Sequence, residues 1–238
     1  MITIHLSPDA YSVVTETSEG NIDARFGKKS LIQSNIKNIA KQLKINPLDF
    51  VQMRQVHKTH IARVGKAHRG TKIKEVDGLI TDEPDAVLML RVADCIPVFL
   101  LDPQTRAIGL VHSGWRGSIG KIILVAIEKM MLEFNTNPRD LHIALGPSIQ
   151  ACCNRWERPP LQLELPEWEP FVTKKGNGFA VDLPAFVVDT SIKAGVKREN
   201  ITMSKNCTVM DRKFFSHRRS QETGEAEGRF ATIIGLKS

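Results

Sequence analysis

His57, Cys95 and His112 have the donor atoms that a catalytic zinc site uses. Two imidazoles and one thiolate, with a fourth position left to water, hold zinc as a Lewis acid and lower the pKa of its water towards neutrality. Each stands where an apolar run stops. His57 follows Phe50 to Gln55, Cys95 lies in the interruption Ala93–Pro97, and His112 ends the run that starts at Ala107. The same set suits a single copper ion. A thiol beside an imidazole is also the pair of cysteine-dependent hydrolases, with Cys95 the nucleophile and His112 or His57 its base. The three residues are far apart in sequence, so spacing alone does not bring them together.

Asp94 and Arg116 stand next to this set. On a regular strand Asp94 points away from the face that Cys95 occupies. It reaches the site as an acid or base only if the chain kinks before Pro97; otherwise it is a turn group. Arg116 follows His112-Ser-Gly-Trp and precedes an apolar, helix-compatible segment, Ile119 to Phe134. That order reads as strand, tight turn, helix. An arginine at a helix N-terminus favours an anion such as phosphate; the alternative is an arginine serving its own loop.

The elements around these residues follow from apolar spacing. Ile32, Ile36, Ile39 and Leu43 place an amphipathic helix over Leu31 to Leu43. Strands are expected within Ile2–Thr17, at Phe50–Gln55, Val76–Thr81, Ala86–Val92, Val98–Leu101, from Ala107, at Leu141–Leu145 and at Ile201–Met203. Lys66 to Lys74 reads as an exposed loop or hairpin, and Arg155 to Pro170, with four prolines, as irregular chain. A second helix runs from Asp182 to Ala194 and stops at Gly195. Lys213–Arg219 and Arg229–Leu236 read as closing strands. Short turns between the early strands point to antiparallel or mixed pairing.

The chain has 238 residues, 42% hydrophobic, and a formal charge of +7. This suits one α/β domain spanning residues 1–238 and permits an anionic ligand. The basic residues are dispersed and there is one Tyr, which argues against an aromatic-lined nucleic-acid groove. No apolar stretch reaches membrane-spanning length. With no signal-peptide pattern at Met1–Leu6, the four cysteines read as cytoplasmic thiols or metal ligands. The adjacent Cys152 and Cys153, and Cys207, read as small buried residues. Arg218, Arg219 and Arg229 read as fold-stabilising.

Several motifs occur in order: Gln55-Val56-His57, Asp77-Gly78-Leu-Ile-Thr81, Ala93-Asp94-Cys95-Ile-Pro97, and His112-Ser-Gly-Trp-Arg116-Gly117. Gly146-Pro147-Ser148-Ile149 with Cys152-Cys153, Asp182-Leu183, Cys207-Thr208, Phe215–Arg219 and Gly228-Arg229 follow them. Together they resemble the laccase-domain family, also called multicopper polyphenol oxidase or YfiH-like. The resemblance implies a layered α/β/β/α sandwich with mixed sheets and a zinc on His57, Cys95 and His112. It implies phosphorolysis of adenosine, inosine and methylthioadenosine, with adenosine deamination, so that the partners are a purine nucleoside and phosphate. Relatives are also associated with copper-dependent phenol oxidation and with cysteine-type hydrolysis of peptidoglycan precursors. A multicopper centre needs more imidazoles than the seven histidines here readily supply. Two departures fall in regions expected to shape the pocket. Ser18–Asp23 to Gly27 replaces an Arg-x-Gly-Gly-x-Ser loop, and Asn154-Arg155-Trp156 replaces Tyr-Glu.

Overall fold

Apolar residues at consecutive positions need both faces of a strand covered, and two stacked sheets between helices provide that cover. The computed structural model describes residues 1–158 and 161–237. Strands β1 (Ile2–Thr3) and β2 (Ala10–Val14) precede helix α1 (Lys29–Leu43). Strands β3 (Phe50–Arg54), β4 (Ile61–Arg63), β5 (Lys72–Lys74) and β6 (Gly78–Thr81) follow, then β7 (Val87–Val92), β8 (Ile96–Asp102) and β9 (Ala107–Ser113). Helices α2 (Trp115–Ile119) and α3 (Ile122–Phe134) lead to β10 (His142–Leu145) and β11 (Arg155–Trp156). After these come β12 (Val172–Lys175), β13 (Gly178–Val181), α4 (Leu183–Lys193), β14 (Ile201–Met203), α5 (His217–Thr223) and β15 (Phe230–Leu236).

One sheet has the order β1-β2-β15-β7-β3-β5 and the other β14-β10-β8-β9-β6-β4; β11, β13 and β12 form a small third sheet. Pairing is mixed, with β3 parallel to β7 and β8 antiparallel to β9. Side-chain alternation assigns the layers. On β7, Val87 and Met89 pack with Ile39 and Ala40 of α1, while Leu88 and Leu90 pack with Phe99, Leu101, Ile108 and Leu110 of the facing sheet. On β8, Val98 and Leu100 turn the other way, onto Ile123, Ile127 and Met130 of α3. The order α1, sheet, sheet, α3 with α4 is the α/β/β/α sandwich expected from the sequence.

Four local expectations are corrected. The helix expected from Ile119 is two helices, α2 and α3, separated at Gly120 and Lys121, whose φ is 54°. The break seats α2 against the loop after β3: a Cβ on Gly120 would stand 2.6 Å from Thr59 Cγ2. The segment Lys213–Arg219 is not a strand. Ser216 accepts a hydrogen bond from Arg219 N at 3.1 Å and starts α5, which ends at Gly224. Lys66–Lys74 contains β5, which pairs in parallel with β3. Cys152 is exposed and Cys153 half-buried, so of the three only Cys207 is a buried residue. Around Arg155–Pro170 the described residues form β11 and two short 3-10 turns, whereas Pro159 and Pro160 lie outside the described residues.

Candidate metal centre and cavity

The site is assembled around Asp77, a fully buried carboxylate just before β6. It accepts hydrogen bonds from the backbone N–H of His57 at 2.9 Å and Lys58 at 2.8 Å, and from Val56 N at 3.2 Å. His57 sits at φ 59°, a left-handed conformation costly for a residue with a Cβ. The three N–H donors converging on one carboxylate hold that turn. Asp77 also bonds His112 Nδ1 at 2.9 Å, which leaves Nε2 of His112 to face the cavity. Burial opposes the charge on Asp77, but the His112 ring and the Lys58 and His57 N–H groups hold its carboxyl below the usual range.

Cys95 lies where the chain crosses from one sheet to the other, between β7 and β8. The kink before Pro97 is present, since Asp94 has φ 81°. Its carboxylate accepts from Thr208 Oγ1 and from Arg218 N, each at 2.6 Å, and its carbonyl accepts from Ile149 N at 2.9 Å. The kink presents Cys95 beside His57 and His112, and the ligand atoms of all three lie within 4.8 Å of one another. The two imidazoles meet edge to face, with centroids 4.8 Å apart. Gly114 closes the group: a Cβ there would stand 2.9 Å from Cys95 Sγ and 3.3 Å from His57 Cδ2.

Burial disfavours the Cys95 thiolate, but the His112 charge and hydrogen bonds from His112 and His57 outweigh it and bring the thiol down to about 6. Burial likewise opposes the charged form of His112; the Cys95 thiolate and Asp77 override it and raise the imidazole to about 9. Without a metal the pair is therefore thiolate and imidazolium near neutrality.

These groups line a cavity of about 810 Å³. Five cationic side chains line it, Arg25, Arg54, Lys72, Arg91 and Arg229, against one carboxylate, Asp23. Asp23 pairs with Arg25 at 2.7 Å and with Arg91 at 3.2 Å. Arg91 Nε is buried with no hydrogen-bond partner in the protein. Burial, then the charge of Arg91, depresses Lys72 below the usual lysine range. An excess of cations in a concave site attracts an anion.

The structure thus brings His57, Cys95 and His112 together, with Asp94 behind Cys95 holding its turn. It does not bring Arg116 to this cavity: the side chain is exposed and stacks over the Trp115 ring, 4.1 Å from its centroid. Arg229, read from sequence as structural, lines the cavity, pairs with Glu227 at 2.8 Å and stacks over Phe26. Arg219 has the fold-stabilising part, capping the carbonyls of Thr208, Val209 and Phe214. Of the two departures from the family pattern, the N-terminal one reaches the cavity through Asp23–Arg25. Asn154 and Trp156 lie elsewhere, with Trp156 edge-on to Trp115 at 5.8 Å.

The family described as multi-copper polyphenol oxidoreductase laccase matches residues 14–237. Purine nucleoside phosphorylase YlmD of Geobacillus stearothermophilus is 32% identical over 221 residues, which cover 87% of this chain and 79% of that protein. Adenosine deaminase RL5, from an unknown prokaryotic organism, is 32% identical over 196 residues, covering 76% of this chain and 74% of its own. The crystal structure of the Geobacillus YlmD superimposes with a TM-score of 0.90 at 28% identity, covering 97% of this chain and 93% of that one. The motifs around His57, Cys95 and His112, the stacked mixed sheets and these matches agree, and the chain belongs to the multi-copper polyphenol oxidoreductase laccase family.

Proposed function

We propose that this chain is a zinc-dependent purine nucleoside enzyme acting by phosphorolysis on adenosine, inosine and methylthioadenosine, with deamination of adenosine as a second activity. The observation that carries the reading is the convergence of His57, Cys95 and His112 on a cavity lined by an excess of positive charge. The names of the relatives, a purine nucleoside phosphorylase and an adenosine deaminase, supply the substrate class. The donor set fits zinc: two ring nitrogens and a sulfur within 4.8 Å, one imidazole oriented by a buried carboxylate. Bound there, zinc supplies Lewis acidity to the cavity.

The chain's own residues do the rest. Asp77 holds the proton on Nδ1 of His112 and fixes the ring. Arg91, with its unpartnered Nε, and Arg54 hold phosphate against the ribose anomeric carbon. The phosphate oxygen forms the new bond to that carbon as the bond to the purine nitrogen breaks, and the purine leaves with a proton from solvent or a cavity acid. Asp94 acts through Cys95, by holding the kink that presents the thiolate. The cavity volume lies in the range of small-molecule sites.

The test is incubation of zinc-loaded protein with adenosine, with and without phosphate. Adenine and ribose 1-phosphate formed only with phosphate are the expected products. Inosine without phosphate reports deamination. No turnover of any purine nucleoside by metal-replete protein overturns the reading.

One observation favours a second reading, a cysteine-type amidase acting on cell-wall precursors. Cys95 Sγ lies within 4.8 Å of a ring nitrogen of His112, and each neighbour favours the charged form of the other. Activity that survives chelation and is lost on alkylation of Cys95 would promote it. A multicopper oxidase is disfavoured by the donors: among the described residues, His57 with His112 is the one pair of histidines in a metal-ligating group.

A further inference from the structure

Outside the cavity, three sulfur atoms meet at one point. Cys152 and Cys153 occupy a turn after Gln150, and their Sγ atoms are 3.4 Å apart. Cys207 is brought to them by a bridge between its strand-like segment and Ser148, with Thr208 N donating to Ser148 O at 3.1 Å. All three sulfurs lie within 4.8 Å of one another. Adjacent side chains of an extended strand diverge, but these two cysteines lie in a turn, which lets their sulfurs meet.

We propose that Cys152, Cys153 and Cys207 form a second metal site, for a soft thiophilic cation, copper(I) or zinc. Three thiolates about 2.3 Å from an ion at the centre of a triangle stand about 4 Å apart, and the spacing here brackets that value. No imidazole or carboxylate belongs to the group, and a purely sulfur donor set selects soft cations over magnesium, calcium or manganese. Copper(I) is satisfied by the three sulfurs, whereas zinc takes a water as fourth ligand. Cys152 is exposed, which provides the entry path and the open position. Each ligating thiol gives its proton to solvent. The group shares no residue with the cavity lining, so this inference stands or falls apart from the proposed activity.

The experiment uses the full chain carrying His57→Ala and Cys95→Ser, which disable the first metal group. The protein is titrated anaerobically with copper(I), and separately with zinc, against a chelator of known affinity. The expected result is about one equivalent of cation held, with affinity falling at least about tenfold on adding Cys152→Ser or Cys207→Ser. The two arms give the relative affinity of the group for the two cations. Cys207 is buried and its variant can misfold, so exposed Cys152→Ser, checked by circular dichroism, carries the decision. Labelling of Cys152 by iodoacetamide, read by mass spectrometry, should slow at least about tenfold once one equivalent is bound. Failure of the background protein to hold either cation, or labelling of Cys152 unchanged by metal, overturns the proposal.

Discussion

Cys95 and Cys153 stand in two sulfur-containing groups that burial treats alike and neighbours treat oppositely. Burial pushes both thiols upward. Beside Cys95 are two imidazoles, and the charge on His112 turns the balance, leaving a thiolate at about 6. Beside Cys153 are two further sulfurs, Cys152 and Cys207, which compete for the same charge, and its thiol is pushed up to about 12. The lesson is that a thiol's function is set by the charge it faces more than by its depth. The nitrogen-rich group is ready as a mixed-donor site near neutrality; the all-sulfur group resists multiple ionisation until a cation compensates the charge.

The largest expected effect is a direct contrast of the two thiols. In metal-stripped protein near pH 7, Cys95 should alkylate roughly a hundredfold faster than Cys153, after allowing for the lower nucleophilicity of the more acidic thiol. The sign follows from the shifts: Cys95 is mostly thiolate above about pH 6, so its rate levels off there, whereas Cys153 keeps gaining with pH up to about 12. Equal rates, or a Cys95 profile that rises only above pH 8, would erase the comparison.

Asp77→Asn should weaken metal binding at His57, Cys95 and His112 by roughly 10–100-fold and leave the cysteine triad's affinity unchanged. It removes the acceptor that orients His112 and ties down the His57 turn. Metal titration of each group, with the other disabled, separates the effects. Loss at both groups would mean that the substitution disrupts the fold at large.

Arg91→Ala should reduce phosphate-dependent turnover by about 1.5–3 kcal/mol in transition-state terms, with Arg116→Ala costing much less. Arg91 lines the cavity with a free Nε, whereas Arg116 lies on Trp115 outside it. The ratio of kcat/KM with and without each arginine is the measurement, and an Arg116 variant as damaged as the Arg91 variant would return the anion to the α2 turn. The smallest effect is expected from Gly114→Ala. The added methyl must displace Cys95 Sγ or His57 by tenths of an ångström, so metal affinity should fall several-fold while thermal stability shifts by about 1 kcal/mol or less. Unchanged affinity would show that the approach at Gly114 is not needed.

Much of this molecule was legible in the sequence because its signals are local. Continuous apolar runs at Val87–Val92 and Val98–Leu101 mark strands covered on both faces, and the spacing of Ile32, Ile36 and Ile39 marks the helix, while the layering itself is what the family resemblance implies. The metal-ligand candidates were visible because each ends an apolar run. Asp77 belongs to a visible motif, but its organising role is not legible there, since its four donors come from residues 56–58 and 112 and only the fold gathers them. The cavity's cations are hidden for the same reason: Arg25, Arg54, Lys72, Arg91 and Arg229 come from five separate segments. Arg116 does open a helix, as its sequence context predicts, but α2 spans only Trp115–Ile119 and the exposed side chain lies over Trp115 rather than in the cavity, which spacing does not reveal. The helix at His217 carried a legible signal, the Ser216 cap and Gly224 stop, which the apolar pair Phe214 and Phe215 overshadowed.

Strand β15 has a consequence for how the protein is made. It lies between β2 and β7, so these two strands share no ladder until Phe230–Leu236 has been synthesised. While the ribosome is still translating, β2 and β7 each present an unpaired edge and the apolar inner faces of Val14, Leu88 and Leu90. Until β15 is available the chain is therefore open to self-association and to chaperones. Released chains truncated before Phe230 should be cut by protease within β2 and β7, whereas chains that include Leu236 should resist; the first sheet closes only when its inner strand β15 joins the strands made before it.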